Sequence, residues 1–351
     1  VADQQLRFRV WLLVLSAALA ISVVAAIGLG SVTIAPSRVL AVLGHHLLGL
    51  EPGAGATTDD AIIWQVRVPR ALLGLCVGAG LSVCGMALQA MVRNMLADPY
   101  ILGVNSGAST GAAAAILFGV GAGLGEHALQ ASAFVGALAA SLLVYVVSRA
   151  AGRVTSVRLL LAGVAVGYAL YALTSFLIVA SGSAEGTRSV LFWLLGSLSL
   201  AGWGTPLAAV ALVVLLTVAA LLVLGRRLDA LAIGDETART LGVSPERLRT
   251  GLLVLISLCV GVVVSASGSI GFVGLVVPHL ARRLVGSVHA RAIPIAALLG
   301  AILLLWADIA ARTVLAPQEI PIGILTSLVG APFLLILIRR MHATTTSDRT
   351  A

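Results

Sequence analysis

Ten stretches of this 351-residue chain are apolar for long enough to cross a bilayer as helices, a crossing that takes about 17–25 residues. They lie at about 11–30, 71–92, 99–120, 128–148, 159–180, 206–224, 250–268, 270–287, 292–312 and 321–338. In hydrocarbon each backbone N–H and C=O must be satisfied within the span, so segments of this length are restricted to helices. The chain is 60% hydrophobic and 10% charged, against about 25% charged in a soluble domain. A water-soluble globule is excluded. The fold expected is an all-α polytopic membrane protein, one transmembrane domain over 1–351 with ten transmembrane helices.

Arg7 and Arg9 precede the first stretch and small residues end it, which also suits a signal peptide, although the stretch is longer than the usual apolar region of one. All 22 basic residues are arginines. Placing the N-terminus in the cytoplasm puts 17 of the 22 inside: 7, 9, 93, 149, 153, 158, 226, 227, 239, 247, 249, 282, 283, 291, 339, 340 and 349. Arg38, Arg67, Arg70, Arg188 and Arg312 fall outside. This satisfies the positive-inside rule, and ten spans return the C-terminus to the cytoplasm. Spans 2–5 then enter from outside and spans 7–10 from inside, the hydropathy pattern of two inverted blocks of four.

Three segments depart from simple spans. Residues 31–66 form an external loop with Pro36 and Pro52 and a short interfacial helix expected around Ser37–Leu48. Residues 189–203 are too short to cross and carry Trp193 and Trp203, so a half-helix at the external interface is expected. Span 8 opens with Gly268, Gly271 and Gly274 and contains Pro278, so it is expected to be broken or tightly packed.

Several chemistries are excluded or disfavoured. Without lysine there is no phosphate-binding lysine of a nucleotide site and no Schiff base, so ATP, if it drives this protein, is hydrolysed by another chain. The net charge of +8 has no soluble basic face for nucleic acid; membrane topology accounts for it. Cys76, Cys84 and Cys259 lie in apolar runs without metal-like spacing, and His45, His46, His127 and His289 lack helical pairing with carboxylates or cysteines. No metal site and no catalytic group are expected.

The longest cytoplasmic loop, 225–249, holds two helix signals. Asp235 and Glu236 suit a helix N-terminus, Gly242 can stop that helix, and Ser244, Pro245 and Glu246 match the N-cap and first two positions of the next. The loop is either a compact knob for docking a soluble partner or an ordinary charged loop. Arg67, Arg70 and Arg312 stand outside against the charge bias. A guanidinium fork pairs well with a partner's carboxylate; the alternatives are snorkelling and, for Arg312, an internal pair with Asp308 one turn away. Asn94 to Pro99 makes the internal turn between spans 2 and 3, and Gly103, Gly107 and Gly111 follow as a small-residue stripe suited to close helix packing.

Seven segments, RVPR (67–70), NMLADPYILGVNSGAS (94–109), RLLLAG (158–163), WLLGSLS (193–199), GVSPERLR (242–249), GSIGFVGLVVPHLARRLVG (268–286) and IPIGILTSLVGAPFLLIL (320–337), occur in an order that resembles the FecCD-type permease subunits of type II ABC importers. That family takes up vitamin B12, ferric siderophores and haem, and the resemblance spans essentially the whole chain. It implies a second permease subunit, identical or homologous, around a central path in the membrane lipid; two cytoplasmic ATPase subunits that carry ATP and Mg; and an external substrate-binding protein. No cofactor is implied on this chain, which is not itself an enzyme, and the location implied is the bacterial inner membrane. The resemblance assigns binding-protein docking to Arg67, Arg70 and Arg312, and a cytoplasmic gate to Asn94 and Leu96 with Thr155, Ser156 and Val157. It assigns ATPase coupling to Asp235, Glu236, Ala238, Leu241, Gly242, Val243 and Ser244. One departure is Met95, where the family usually has proline. An ion-coupled transporter would need an ionisable residue at membrane depth, for which Asp308 is the one clear candidate. Among substrates the 97–109 segment is closest to siderophore permeases, with cobalamin and haem as alternatives.

Overall fold

A computed structural model describes residues 2–30, 32–50, 57–150 and 155–347; Pro52, Arg153 and Arg349 of the sequence reading lie outside these. Among the described residues the chain is helical, with no strand. Seven helical stretches among the described residues are long and apolar enough to cross a membrane. They contain α1 (Ala2–Gly28), α4 (Val68–Val92), α6 (Ala128–Ala150), α7 (Ser156–Ser181), α9 (Thr205–Ile233), α11 (Pro245–Ser267) and α13 (His289–Thr313). Before α4, the short α3 (Thr57–Ala61) and a π-helical turn, Ile62–Arg67, extend the rod so that 34 residues, Asp59–Val92, run continuously.

The other three expected spans are shorter as helices. Here α5 (Val104–Phe118) has 15 residues and α12 (Val273–Val285) has 13, about 22 and 20 Å at 1.5 Å per residue, against a hydrocarbon thickness of about 30 Å. In α14 (Ile322–Ser347) the apolar part is Ile322–Leu337. The expectation of a plain helix over 99–120 is therefore corrected, whereas span 8, expected to be broken or tightly packed, is broken at its start. Pro99–Leu102 forms a separate 3-10 turn ended by Gly103 at φ 75°. Ahead of α12 the chain is unwound from Gly268 (φ 66°) to Phe272 (φ 69°). Hydropathy counts apolar residues but does not register that left-handed positions interrupt the helix.

The core is organised around α4, which touches α1, α9, α11, α12 and α13. Small residues set its depth. A β-carbon on Gly85 would overlap the Gly274 carbonyl of α12, and one on Gly78 would overlap that of Gly300 on α13, so backbones meet where side chains normally intervene. The same device joins α5 to α6: Gly107 meets Gly136 and Gly111 meets Ser132, as the glycine stripe predicts. A smaller apolar cluster of Ile27, Ile34, Val39, Ile63, Val68 and Ile309 seals the ends of α1, α4 and α13 at one face of the protein.

The interfacial helix forms as α2 (Pro36–Leu48), with proline in its first turn and Gly49 left-handed at its C-cap. The half-helix starts earlier than expected, as α8 (Ala184–Leu194), because Ser183 caps it by accepting from the Gly186 N–H. Beyond it Gly196 (φ 75°) turns the chain, and the Ser197 N–H donates to the Ser267 carbonyl at the end of α11. Trp203 donates to the Trp64 carbonyl at 2.6 Å, and their rings lie 5.0 Å apart.

Candidate functional site

At the end of the molecule where α1 and α13 finish and α4 begins, the three singled-out arginines come together, but turned inward. Arg67, Arg70 and Arg312 are each 7% exposed. Arg67 donates through Nη1 to the carbonyls of Ile27 and Gly28 and through Nη2 to Val32; Arg312 donates to Leu29 at 2.9 Å and Ala26 at 2.8 Å. A helix leaves its last four carbonyls without partners, at the negative end of its dipole. Two guanidiniums from distant segments cap the C-terminus of α1.

Arg70 and Arg312 also share one carboxylate. The Asp308 carboxylate, 1% exposed, accepts from Arg70 Nε at 2.9 Å and forms an ion pair with Arg312 Nε at 2.9 Å. The remaining Arg70 nitrogens form a two-pronged pair with Glu319, both at 2.9 Å. Of the two Arg70 partners, Glu319 is the one that reaches solvent, its side chain 45% exposed against 2% for Asp308. The Asp308–Arg312 pair raised as an alternative in the sequence is present. Arg70 and Arg312 thus share the two carboxylates, whereas Arg67 is held by backbone carbonyls.

At the opposite end lies the predicted knob. The segment 225–249 is less of a loop than expected, because α9 continues through Arg226 and Arg227 to Ile233. Only α10 (Asp235–Thr240) and its flanks stand between α9 and α11. The α10 C-terminus closes as a Schellman motif: the Val243 N–H donates to Ala238 at 2.8 Å and the Gly242 N–H to Arg239 at 2.9 Å, with Gly242 at φ 75°. Ala238 is the buried anchor, and Val243 is half-buried. Glu236, Leu241, Gly242 and Ser244 are exposed. Ser244 occupies the N-cap position of α11 with Pro245 next, but its hydroxyl makes no capping hydrogen bond.

Asp235 faces inward. Its carboxylate takes both arms of Arg249, at 2.9 and 2.6 Å, and lies 3.7 Å from Arg93. Hydrogen bonding from Arg249 holds the Asp235 carboxyl below the usual carboxylate range. A lowered folded-state value means that this pair stabilises above about pH 4 and weakens as pH falls through the folded value.

The two turns assigned to the gate meet beside this knob. Arg93 takes a left-handed conformation (φ 53°) at the end of α4, and the Asn94 side chain accepts from the Leu96 N–H at 2.9 Å. Met95 is 42% exposed at the tip; with no proline there, the turn is closed by Asn94. Thr155 caps α7 by accepting from the Arg158 N–H, Val157 is exposed, and Ser156 is buried with its hydroxyl on the Met91 carbonyl at 3.2 Å.

Residues 18–340 match the pattern of the FecCD transport family. The chain belongs to that family. It is 43% identical over 282 residues to the cobalamin import system permease of Halobacterium salinarum, covering 80% of this chain and 74% of the relative. To the hemin transport system permease of Yersinia pestis it is 42% identical over 291 residues, covering 82% and 86%. A solved inward-facing structure of a metal-chelate type ABC transporter aligns with a TM-score of 0.80 at 34% identity, over 94% of this chain and 98% of that one. The FecCD chain is thus a multi-pass ABC transporter permease, not an enzyme by family.

Sequence reasoning missed several groups of this permease. Arg249, which closes the GVSPERLR segment, and Glu319 carry no sequence sign of their partners, which are 14 and 249 residues away. Gln89, 3% exposed, spans from the gate turn to α12: its amide donates to Ala97 and Leu275, and its carbonyl accepts from Arg282. His289 and His46 do find carboxylates, Asp229 at 2.6 Å and Asp60 at 3.1 Å, across the fold rather than along a helix. Polar residues inside apolar runs are the available signal, since burial requires a partner for each.

Proposed function

We propose that this FecCD permease is one subunit of an ABC importer that takes up a metal chelate by ATP-driven alternating access. In this reading α5, α12 and the apolar part of α14 complete ten spans, with spans 2–5 and 7–10 as inverted blocks, and both termini lie in the cytoplasm. The knob end is then cytoplasmic and the arginine end external. A second permease subunit completes the path, two ATPase chains hold ATP and Mg, and an external binding protein delivers the substrate. The observation that carries the reading is the knob at 235–244, self-capped and exposed at Glu236, Leu241 and Gly242, directly beside both gate turns. A charged, rigid protrusion there suits docking of a soluble motor.

The substrate class is an iron chelate, preferably a ferric siderophore; the likeness to a hemin permease supports iron, and the likeness to a cobalamin permease keeps cobalamin as the second reading. Reconstituted with its ATPase and binding protein in proteoliposomes, the permease should import a ferric siderophore only when ATP is present. Uptake of cobalamin alone would overturn the iron assignment, and uptake without ATP would overturn the importer class.

We place docking of the binding protein at this arginine end, because a guanidinium fork suits a carboxylate of an acidic partner. All three arginines are buried; Arg67 and Arg312, bound to the end of α1, are supports for this surface, and Arg70 is the arginine closest to exchange, through half-exposed Glu319. Glu319→Gln removes an internal competitor for the Arg70 fork. A pair exposed on one side is worth about 0.2–1 kcal/mol, so the binding protein should bind about 1.4–5-fold more tightly at low salt, with the gain fading as salt rises. Surface plasmon resonance on nanodisc-held transporter reads this directly, and weaker binding would count against docking at Arg70.

A further inference from the structure

The C-terminus of α4 is where three otherwise separate pieces meet. Met91 lies in its last turn, fully buried, with a carbonyl that the helix itself leaves without an i+4 donor. Two side chains supply donors from different directions. Ser156 Oγ, from the start of α7, donates to it at 3.2 Å, and Arg249 Nε, from the first turns of α11, donates at 3.4 Å. Arg249 then spends its other two nitrogens on Asp235, the first residue of α10. Its side chain is 2% exposed and that of Asp235 26%.

This chain of contacts runs from the knob, through one planar guanidinium, to the backbone that enters the Asn94 turn and to the hydroxyl that begins the second gate turn. Arg93, the residue between Met91's turn and Asn94, adds a longer contact to the same carboxylate at 3.7 Å. A planar fork fixes direction as well as distance, unlike a flexible ammonium. A displacement of α10 therefore cannot be absorbed locally: it is passed to Met91 and Ser156, or the fork breaks.

We infer that Arg249 is a positioning residue that transmits movement of the knob to both gate turns, by holding Asp235 and the Met91 carbonyl in one rigid unit. This rests on the proposed function, since it presumes a motor at the knob and gates at 94–96 and 155–157. It adds the specific path by which the two are joined.

The test measures uptake and ATP hydrolysis together in the complete transporter, with permease, ATPase and binding protein in proteoliposomes. Arg249→Lys keeps the positive charge and loses the fork. Hydrolysis should persist while uptake falls about tenfold, a loss equivalent to ~1.4 kcal/mol of coupling, so that substrate imported per ATP drops. Ser156→Ala removes only the gate-side donor and leaves Arg249 and the knob intact, so it serves even where the lysine variant fails to assemble. It should lower the same ratio severalfold at unchanged assembly. If both variants reduce hydrolysis and uptake in proportion, or Ser156→Ala leaves the ratio at the native value, the transmission role is overturned. Absence of ATP-dependent uptake with the native chain would instead overturn the importer reading, and the link with it.

Discussion

Asp308→Asn should destabilise the permease by about 3–5 kcal/mol, the range for removing one partner of a buried ion pair, and should show as a large fall in melting midpoint or loss of the folded protein from the membrane. The size follows from what is left behind. Asp308 is 1% exposed and is the carboxylate shared by Arg70 and Arg312. Its neutral replacement leaves Arg312 with only backbone carbonyls and Arg70 with Glu319 alone. In a poorly solvated site those charges have no water to turn to. Glu319→Gln provides the contrast, since its half-exposed side chain can be replaced at a cost below about 1 kcal/mol. Equal melting midpoints for Asp308→Asn and the native chain in the same detergent would contradict the burial and pairing described here.

Gly85→Ala is the second large effect expected. Overpacking a core commonly costs about 1–3 kcal/mol and sometimes more, and here the obstacle is the Gly274 carbonyl, a backbone atom that no rotamer can move aside. Relief requires α4 and α12 to separate, which loosens the contacts that α4 makes as the central helix. Gly251→Ala is the matched control: on α11 a β-carbon at Gly251 meets nothing within 4 Å, and in an exposed helical position alanine is favoured over glycine by about 1 kcal/mol. Thermal denaturation should rank Gly251→Ala at or above the native chain and Gly85→Ala well below it. A reversal of that order would argue against the close α4–α12 approach.

How much of this was legible in the sequence depends on the range of the interactions. The apolar runs, the knob and the interfacial helix are local: hydropathy locates α4, α9 and α13, and Asp235, Gly242, Ser244 and Pro245 mark the ends of α10 and α11 by capping chemistry that acts within a few residues. The break ahead of α12 is signalled by Gly268, Gly271, Gly274 and Pro278, but its last turn, at Phe272, is not, because a non-glycine residue at positive φ has no compositional sign. Partner identity was least legible. Arg67, Arg70 and Arg312 stand out by their place against the charge bias, but apart from the local Arg312–Asp308 pair their donors go to segments 35 to 286 residues distant, and only the fold brings them within reach. The helix-start position marks Asp235, whereas Arg249, although it closes GVSPERLR, gives no sequence sign that Asp235 is its partner.

The capping of α1 bears on the order in which the protein is made. A ribosome adds about 5–20 residues per second, and the Leu29 carbonyl waits for a donor 283 residues later, in Arg312. That interval is about 14–57 seconds at this pace. During it Arg67 is the earlier of the two caps to emerge, and the Asp308 carboxylate needed by Arg70 has not yet been synthesised. The end of the first helix is closed only when α13 has entered the membrane, so biogenesis of this face finishes with one of the last segments translated rather than helix by helix.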